Sequence, residues 1–448
     1  MKARLYINKE NLKYNIEYIK SKIGKERDII AMLKANAYGA GEKQIALLLK
    51  EYGISFFGVA NIDEAIRLRK YGIDSNILVT SPCIGDEIKA AIENDISMSV
   101  SDINNLIQIQ FIANSVKKIA RVHIKVETGM TRLGFTYYEL KNNLDKMLSF
   151  KNISIEGIYS HLSCAGSDEE YTKLQFNEFK KAYNLLKDKI LFKYVHILNS
   201  DGIQNYAKKD IGINYTHVRV GLMLYGYTKN TKPILKLEVP ILHINDVKKY
   251  QKVGYDGTFI AKPNMKIAVL KIGYADGISR SLSNNMYVVI RGKKCPIVGN
   301  ICMDMCMVDV TDIEDINIED KAIFFDYTND LKELAKKSNK IVYEFISNLS
   351  GRIERIIGSK TNIIFLHGWG ANINSFMPVI NEVSKKYNVY AIDLPGFGLS
   401  DEPSKDYMVE DYSKIVLEFI NKLKLDNVVL IGHSFGGRVI IKLVGALK

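Results

Sequence analysis

Between Ile29 and Gly226, short apolar runs recur with room for one amphipathic helix between neighbours. They read IIAML, FFGVA, NILVTSP, ISMSVSD, RVHIKVETG, IEGIYSHLS, YVHILNSD and HVRVGLMLYG, and most end in Gly, Pro, Asn, Asp or Ser. The stretches between them, such as NIDEAIRLRKYG and YTKLQFNEFKKAYNLLKDK, repeat apolar residues at helical period. Strands alternating with helices this often imply a parallel sheet covered by helices. Eight such units over about 220 residues are the size of a closed eight-stranded β/α barrel.

Beyond Pro233 the texture changes. ILKLEVPILHINDVKKYQKVGYDGTFIAK, MKIAVLKIGYADG, MYVVIRGKKCPIVGNICMDMCMVDVTD and KAIFFD are strand-like runs divided by Gly, Asn and Asp turns. A second, mainly β domain is expected over 233–358, closing with a last helical stretch, IVYEFISNLSGRIERII. From residue 359 to Lys448 a third pattern follows. NIIFLHGWG, YNVYAIDLPGFGLSD and NVVLIGHSFGGRVIIKLVGALK read as open α/β texture, and the barrel is assigned residues 1–232.

Composition narrows the class of partner. The 448 residues are 47% hydrophobic, enough for sizeable cores in two or three domains. The 62 basic residues are scattered among 50 acidic ones, without a basic block interleaved with aromatics. Nucleic acid is therefore not an expected partner, and the net charge of +12 suits small anions equally well. The five cysteines lack metal-ligand spacing and read as reduced thiols, so no metal is expected. No stretch is apolar enough for a signal sequence or a membrane span, which predicts a soluble, cytoplasmic protein.

Lys34 stands where the first apolar run ends, ahead of small residues and Tyr38. At the C-terminal mouth of a β/α barrel, strand ends carry the chemistry. A lysine held there loses hydration and some preference for its charged form, which frees the amine to bond an aldehyde. By itself the residue reads more readily as a surface lysine in a loop, because 62 basic residues make such a placement common.

The surrounding segment LKANAYGAG resembles the cofactor-lysine motif of the alanine racemases, pyridoxal-phosphate enzymes built from a β/α barrel and a β domain. HIKVETGMTRLGF, YSHLSCA, HILNSDG, VRVGLMLYG, IGYADG, PIVGNICMDMCMVDV and VYEFISNLSGRIERI continue the likeness in order. The resemblance implies that Lys34 carries pyridoxal 5′-phosphate and serves as one base, with Tyr274 as the second. Inversion needs two such groups, because a proton leaves one face of Cα and returns to the other. Arg219 matches the donor to the pyridine nitrogen, and His161 matches the partner that orients it. Tyr38, Ser200, Gly221 and Tyr343 match phosphate contacts, and Arg132 matches a contact to the cofactor oxygen and the substrate carboxylate. Lys125 matches a position that is carbamylated in some relatives.

Met303 and Asp304, with Tyr274, are expected to act from the second subunit of a homodimer. Ala40 and Val220 depart from the residues common in the family, at positions that carry no proton. The implied reaction interconverts L- and D-alanine and supplies D-alanine for peptidoglycan. A serine/alanine racemase of the glycopeptide-resistance type and a non-catalytic pyridoxal-phosphate barrel are the alternatives. Tyr343 favours alanine, because serine-preferring relatives tend to carry a smaller polar residue there.

In the third segment, Gly432, Ser434 and Gly436 have the G-x-S-x-G spacing between an apolar strand and a helix. With FLHGWG and DLPGFGLSD upstream, the segment resembles the α/β-hydrolases. That likeness makes Ser434 a nucleophile and gives Phe435 an oxyanion amide. The acid and histidine of such a triad lie downstream of the serine, and only RVIIKLVGALK follows here. A truncated hydrolase-like piece is expected, with neither His433 nor His367 assumed to replace the missing base.

Overall fold

The computed structural model of the chain describes residues 2–328, 330–358, 362–384, 387–423, 425 and 428–446. It divides into two compact units, Met1–Ile357 and Gly358–Lys448. In the first, eight parallel strands close into a barrel in chain order, from Asp28–Met32 to His217–Val220. Closure is made by pairing Asp28–Ala31 with His217–Val220. Helices join the strands, and their starts follow the sequence. Asn61 and Asp168 cap Ile62–Lys70 and Glu169–Leu186 with their side chains, and Thr136 and Glu139 form a reciprocal capping box on Tyr137–Ser149.

The barrel strands are buried on both faces, so their runs are nearly all apolar. Their inward positions differ around the barrel. One part of the interior holds Ile30, Met32, Phe56 and Leu78. Another holds His123, His196 and Arg219, all buried, with Tyr159 bonded to Ser99 at 2.7 Å. Thus the site's polar groups stand on rigid strands.

The second domain is an antiparallel sheet that runs 293–296, 287–290, 321–325, 235–246, 4–8, 354–358, with branches at Lys266–Leu270 and Cys306–Asp309. Two elements differ from expectation. The strand Arg4–Asn8, counted with the barrel by position, pairs with Leu235–Glu238 and so belongs to this sheet. The helical stretch predicted over 341–357 is a helix only at Val342–Ser347, and its end becomes the strand Glu354–Gly358. The helix stops at Ser347 with Asn348 as its C-cap, Gly351 disfavours its resumption, and the β-branched Ile356 and Ile357 suit the sheet that Arg4–Asn8 opens.

The second unit has a parallel sheet in the order 388–392, 362–366, 428–432. Helices Val409–Lys422 and Phe435–Ala446 contribute Tyr412, Val416, Val439 and Leu443 to a core with Ile364, Leu366 and Leu394. No helix among the described residues is long and apolar enough to cross a membrane.

Candidate active site

A cavity of about 470 Å³ opens in the first unit. Lys34, Tyr38, Arg132 and His161 line it, and so do Ser200, Arg219, Gly221 and Tyr343. Lys125 is there too. Residues far apart in sequence therefore meet at one mouth, delivered by several strands, by the segments that follow them and by the helix Val342–Ser347.

The backbone after Lys34 is unusual. Ala35, Asn36, Ala37 and Tyr38 all have φ between 53° and 55°, a left-handed turn of four residues with side chains. Such a run costs roughly 1–2 kcal/mol per residue and persists only where its surroundings hold it. Here the Glu64 carboxylate accepts from the backbone N–H of Ala35 and Ala60, both at 2.7 Å. Asn36 Oδ1 accepts from Glu42 N–H at 2.8 Å. Gly39 follows with φ 79°, and a Cβ there would lie 1.8 Å from the Ile346 carbonyl oxygen. The helix that carries Tyr343 is thus seated directly on the lysine turn. Arg355 locks the pair, donating to the carbonyls of Gly39, Ser350 and Leu349.

Burial, then the nearby Arg132 and Arg219, lowers the affinity of the Lys34 amine for its proton, and Glu64 opposes them. Lys125 is lowered to about 8, by burial first and then by Arg132 and Arg219. Burial brings Arg219 to about 10, which leaves it charged at neutral pH. Four cationic side chains around one cavity suit an anionic ligand.

Arg132 sits on a loop fixed from below. The Glu127 carboxylate accepts from the backbone N–H of Gly129, Met130, Thr131 and Arg132, at 2.5–3.2 Å. Tyr171 closes the same loop through the Gly129 carbonyl at 2.6 Å. Arg219 is held more completely. Nη1 donates to His196 Nδ1 at 2.8 Å, and Nη2 donates to the Ser160 carbonyl at 2.5 Å and to His161 Nδ1 at 3.1 Å. Among the described residues Nε has no hydrogen-bond partner, which leaves one donor of a side chain that lines the cavity. At Gly221 a Cβ would lie 2.4 Å from Tyr38 Oη, so that cradle tolerates no side chain.

Tyr274, Met303 and Asp304 lie elsewhere. They do not line the cavity of their own chain, and Tyr274 is 44% exposed. The N–H groups of Tyr274 and Ala275 donate to the carbonyls of Cys302 and Met303, so IGYADG and ICMDM form one surface. Arg352 bridges Asp304 at 2.7 Å and Asp276 at 3.3 Å on the same surface.

Sequence reading missed Glu64, Glu127, His123 and His196. His123 and His196 carry a signal all the same: each stands between two buried apolar residues, Val122 and Ile124 for the one and Val195 and Ile197 for the other. Among the described residues no group of three or more His, Cys, Asp or Glu is placed to hold a metal ion.

In the second unit, Ser434 sits on a sharp turn with φ 49°. A Cβ at Gly432 would lie 2.6 Å from the backbone of Gly436, and one at Gly436 would lie 2.2 Å from the Leu366 carbonyl oxygen, so the G-x-S-x-G glycines are steric necessities. His367 is committed elsewhere. Its Nδ1 lies 2.8 Å from the Gly368 carbonyl, which can only accept, and its Nε2 accepts from Leu394 N–H at 3.0 Å.

Three comparisons bear on these features. The family model described as "Alanine racemase, N-terminal domain" matches residues 7–229, and "Alanine racemase, C-terminal domain" matches 234–357. That for the alpha/beta hydrolase fold matches 361–445. The chain is 34% identical over 371 residues to Alanine racemase 2 of Caldanaerobacter subterraneus subsp. tengcongensis, covering 79% of this chain and 94% of that protein. It is 37% identical over 361 residues to alanine racemase of Methanococcus maripaludis, covering 77% and 95%. Among solved structures, alanine racemase of Clostridium difficile 630 aligns with a TM-score of 0.75 at 29% identity, over 80% of this chain and 98% of that one. The Bacillus anthracis alanine racemase with bound L-Ala-P aligns at 0.72 and 29%, over 79% and 94%. With more than nine-tenths of these relatives covered at over 30% identity, the chain belongs to the alanine racemase family.

Proposed function

We propose that this chain is a pyridoxal-phosphate-dependent racemase that interconverts L- and D-alanine with two bases, Lys34 and Tyr274. The observation that carries the reading is the convergence of Lys34, Arg132 and Arg219 on one cavity with the family match over the same residues. When bound, the cofactor supplies an aldehyde that bonds amines and a ring that draws electrons from Cα. Lys34 would hold it, and Tyr38, Ser200, Gly221 and Tyr343 would bind its phosphate. The free Nε–H of Arg219 fits an unprotonated ring nitrogen, because a guanidinium donates and does not surrender its proton. His161 would orient Arg219.

Arg132 would bind the substrate carboxylate, its position set by Glu127. The lowered proton affinity of Lys34 supports a role in taking and returning a proton at Cα. Tyr274, exposed and outside its own cavity, would serve the cavity of a second subunit together with Met303 and Asp304, which makes the active species a homodimer. Tyr343, which lines the cavity, supports alanine over serine as substrate. D-alanine for peptidoglycan, made in the cytoplasm, would be the product's use. We also infer a division into 1–232, 233–358 and 359–448, with the first strand shared across the first boundary.

The test is direct. Purified protein should absorb visible light and form D-alanine from L-alanine, and Lys34→Ala should abolish both. Tyr274→Phe should slow proton removal from the L isomer more than from the D isomer. Equal rates in both directions, at the wild-type level, would remove Tyr274 from the mechanism.

A further inference from the structure

We propose that His123, which does not line the cavity, is a positioning residue for Arg219: it accepts the ring proton of His196 and so anchors that ring with its other nitrogen against the guanidinium. The proposal concerns side chains of this chain and rests on the racemase reading only for its effect on turnover.

The order of protons follows from the geometry. A guanidinium can only donate, so His196 Nδ1, 2.8 Å from Arg219 Nη1, must accept. A neutral imidazole that accepts at Nδ1 carries its proton on Nε2. That nitrogen lies 3.0 Å from His123 Nδ1, so His196 donates and His123 accepts. The reverse direction would strip His196 of both protons. A doubly protonated His196 would instead turn an N–H against the N–H of Arg219. Burial and the field of Arg219 keep both rings neutral: His196 is held well below the ordinary histidine range, and His123 is lowered to about 3. The charged and titratable groups around His123 are His196, His217, Arg121, Arg219 and Tyr194, none of them an acid.

Two further observations show that the site is shaped for this histidine. Its Nε2 is buried with no hydrogen-bond partner, against the stacked ring of Tyr194 and the edge of Phe56. An apolar side chain would fill that space without the cost of an unpaired donor, so the gain from histidine lies at its other nitrogen. The neighbouring strand also makes room. An irregularity in pairing between Val122 and His123 sets Gly157 opposite His123, where a Cβ would lie 2.4 Å from Nδ1.

The experiment uses the full chain with 15N-labelled histidine, in which only 7 histidines contribute signals. Long-range 1H–15N correlation should show His196 as the Nε2–H tautomer alone. In His123→Phe, which removes the acceptor, the His196 Nε2 proton should move to the position of an unbonded N–H, the Nδ1 signal should shift as the unanchored ring loosens from Arg219, and racemisation should slow about tenfold. His123→Asn places an amide oxygen where Nδ1 was and should restore both signals and most of the rate. A wild-type His196 with its proton on Nδ1, or a folded His123→Phe protein with both His196 signals unchanged, overturns the proposal, and shifted signals with undiminished turnover overturn the positioning role. Should His123→Phe fail to fold, Gly157→Ala presses on the same ring. Shifted His196 signals are then expected, and an unchanged His196 overturns the proposal. If the protein proved not to racemise alanine, the His196 signals would still decide the proton order.

Discussion

At the scale of single residues, the cavity is governed by cations brought close together. Lys34, Lys125, Arg132 and Arg219 share it, and Lys125 holds its proton only to about 8, against an ordinary 10.5. The sign of the resulting stability effect follows by linkage. Below about 8 the folded protein bears the full penalty of a buried cation. Between there and 10.5 the unfolded chain binds the extra proton, so folding gains as pH rises through that window. Thermal unfolding of the cofactor-free protein should therefore move to higher temperature as pH is raised from neutral toward 10.5, and Lys125→Met should remove part of that rise. The same crowding favours carbamate formation on Lys125, which replaces a positive charge by a negative one beside two arginines. Intact mass in bicarbonate buffer should then show the increment of one carbon dioxide, absent from Lys125→Met. Glu127→Gln weakens four backbone contacts to the loop that holds Arg132, and should raise the alanine KM about tenfold with a smaller effect on kcat.

At the scale of elements, the left-handed turn after Lys34 is the device on which the site depends. Its strain is offset by Glu64, Asn36 and the helix Val342–Ser347, so breaking one support should release it. Glu64→Ala leaves two backbone N–H groups without their acceptor, at a cost of roughly 2–4 kcal/mol in urea denaturation. Gly39→Ala drives a Cβ into the Ile346 carbonyl, and is expected to separate Tyr343 from Lys34 and to weaken cofactor retention on dialysis. The alternation of apolar runs with helical stretches made the barrel legible before any coordinates, because strands buried on both faces have no polar positions except functional ones. The turn was not legible. Of Ala, Asn, Ala and Tyr only Asn visits positive φ readily, and then as a single residue, so four in a row depend on contacts made farther along the chain. The same holds for IVYEFISNLSGRIERII, whose later half reads as helix until Arg4–Asn8 offers it a sheet edge.

At the scale of the whole molecule, the first unit carries every residue of the cavity and the second carries a sharp serine turn, where the buried His367 already spends both ring nitrogens on backbone groups. Removing residues 359–448 while keeping the strand Glu354–Gly358 should leave alanine racemisation within about twofold of the full chain. Cutting before Glu354 should cost folding, since that strand pairs beside Arg4–Asn8. The proposed sharing of Tyr274 between subunits predicts that activity, assayed alongside sedimentation at decreasing concentration, falls as a dimer dissociates, since Tyr274 does not line the cavity of its own chain.

What the sequence determined by itself was the set of reactive groups and the elements that carry them: Lys34 after a strand, Arg219 within one, and Ser434 between strand and helix. These depend on neighbours a few residues away, and periodicity and turn chemistry report such neighbours. What the tertiary structure decided was which groups meet and in what protonation state. The partners Glu64 and His196 reach Ala35 and Arg219 across 29 and 23 residues of chain, and burial, which no local pattern measures, lowers the proton affinities of Lys34 and Lys125.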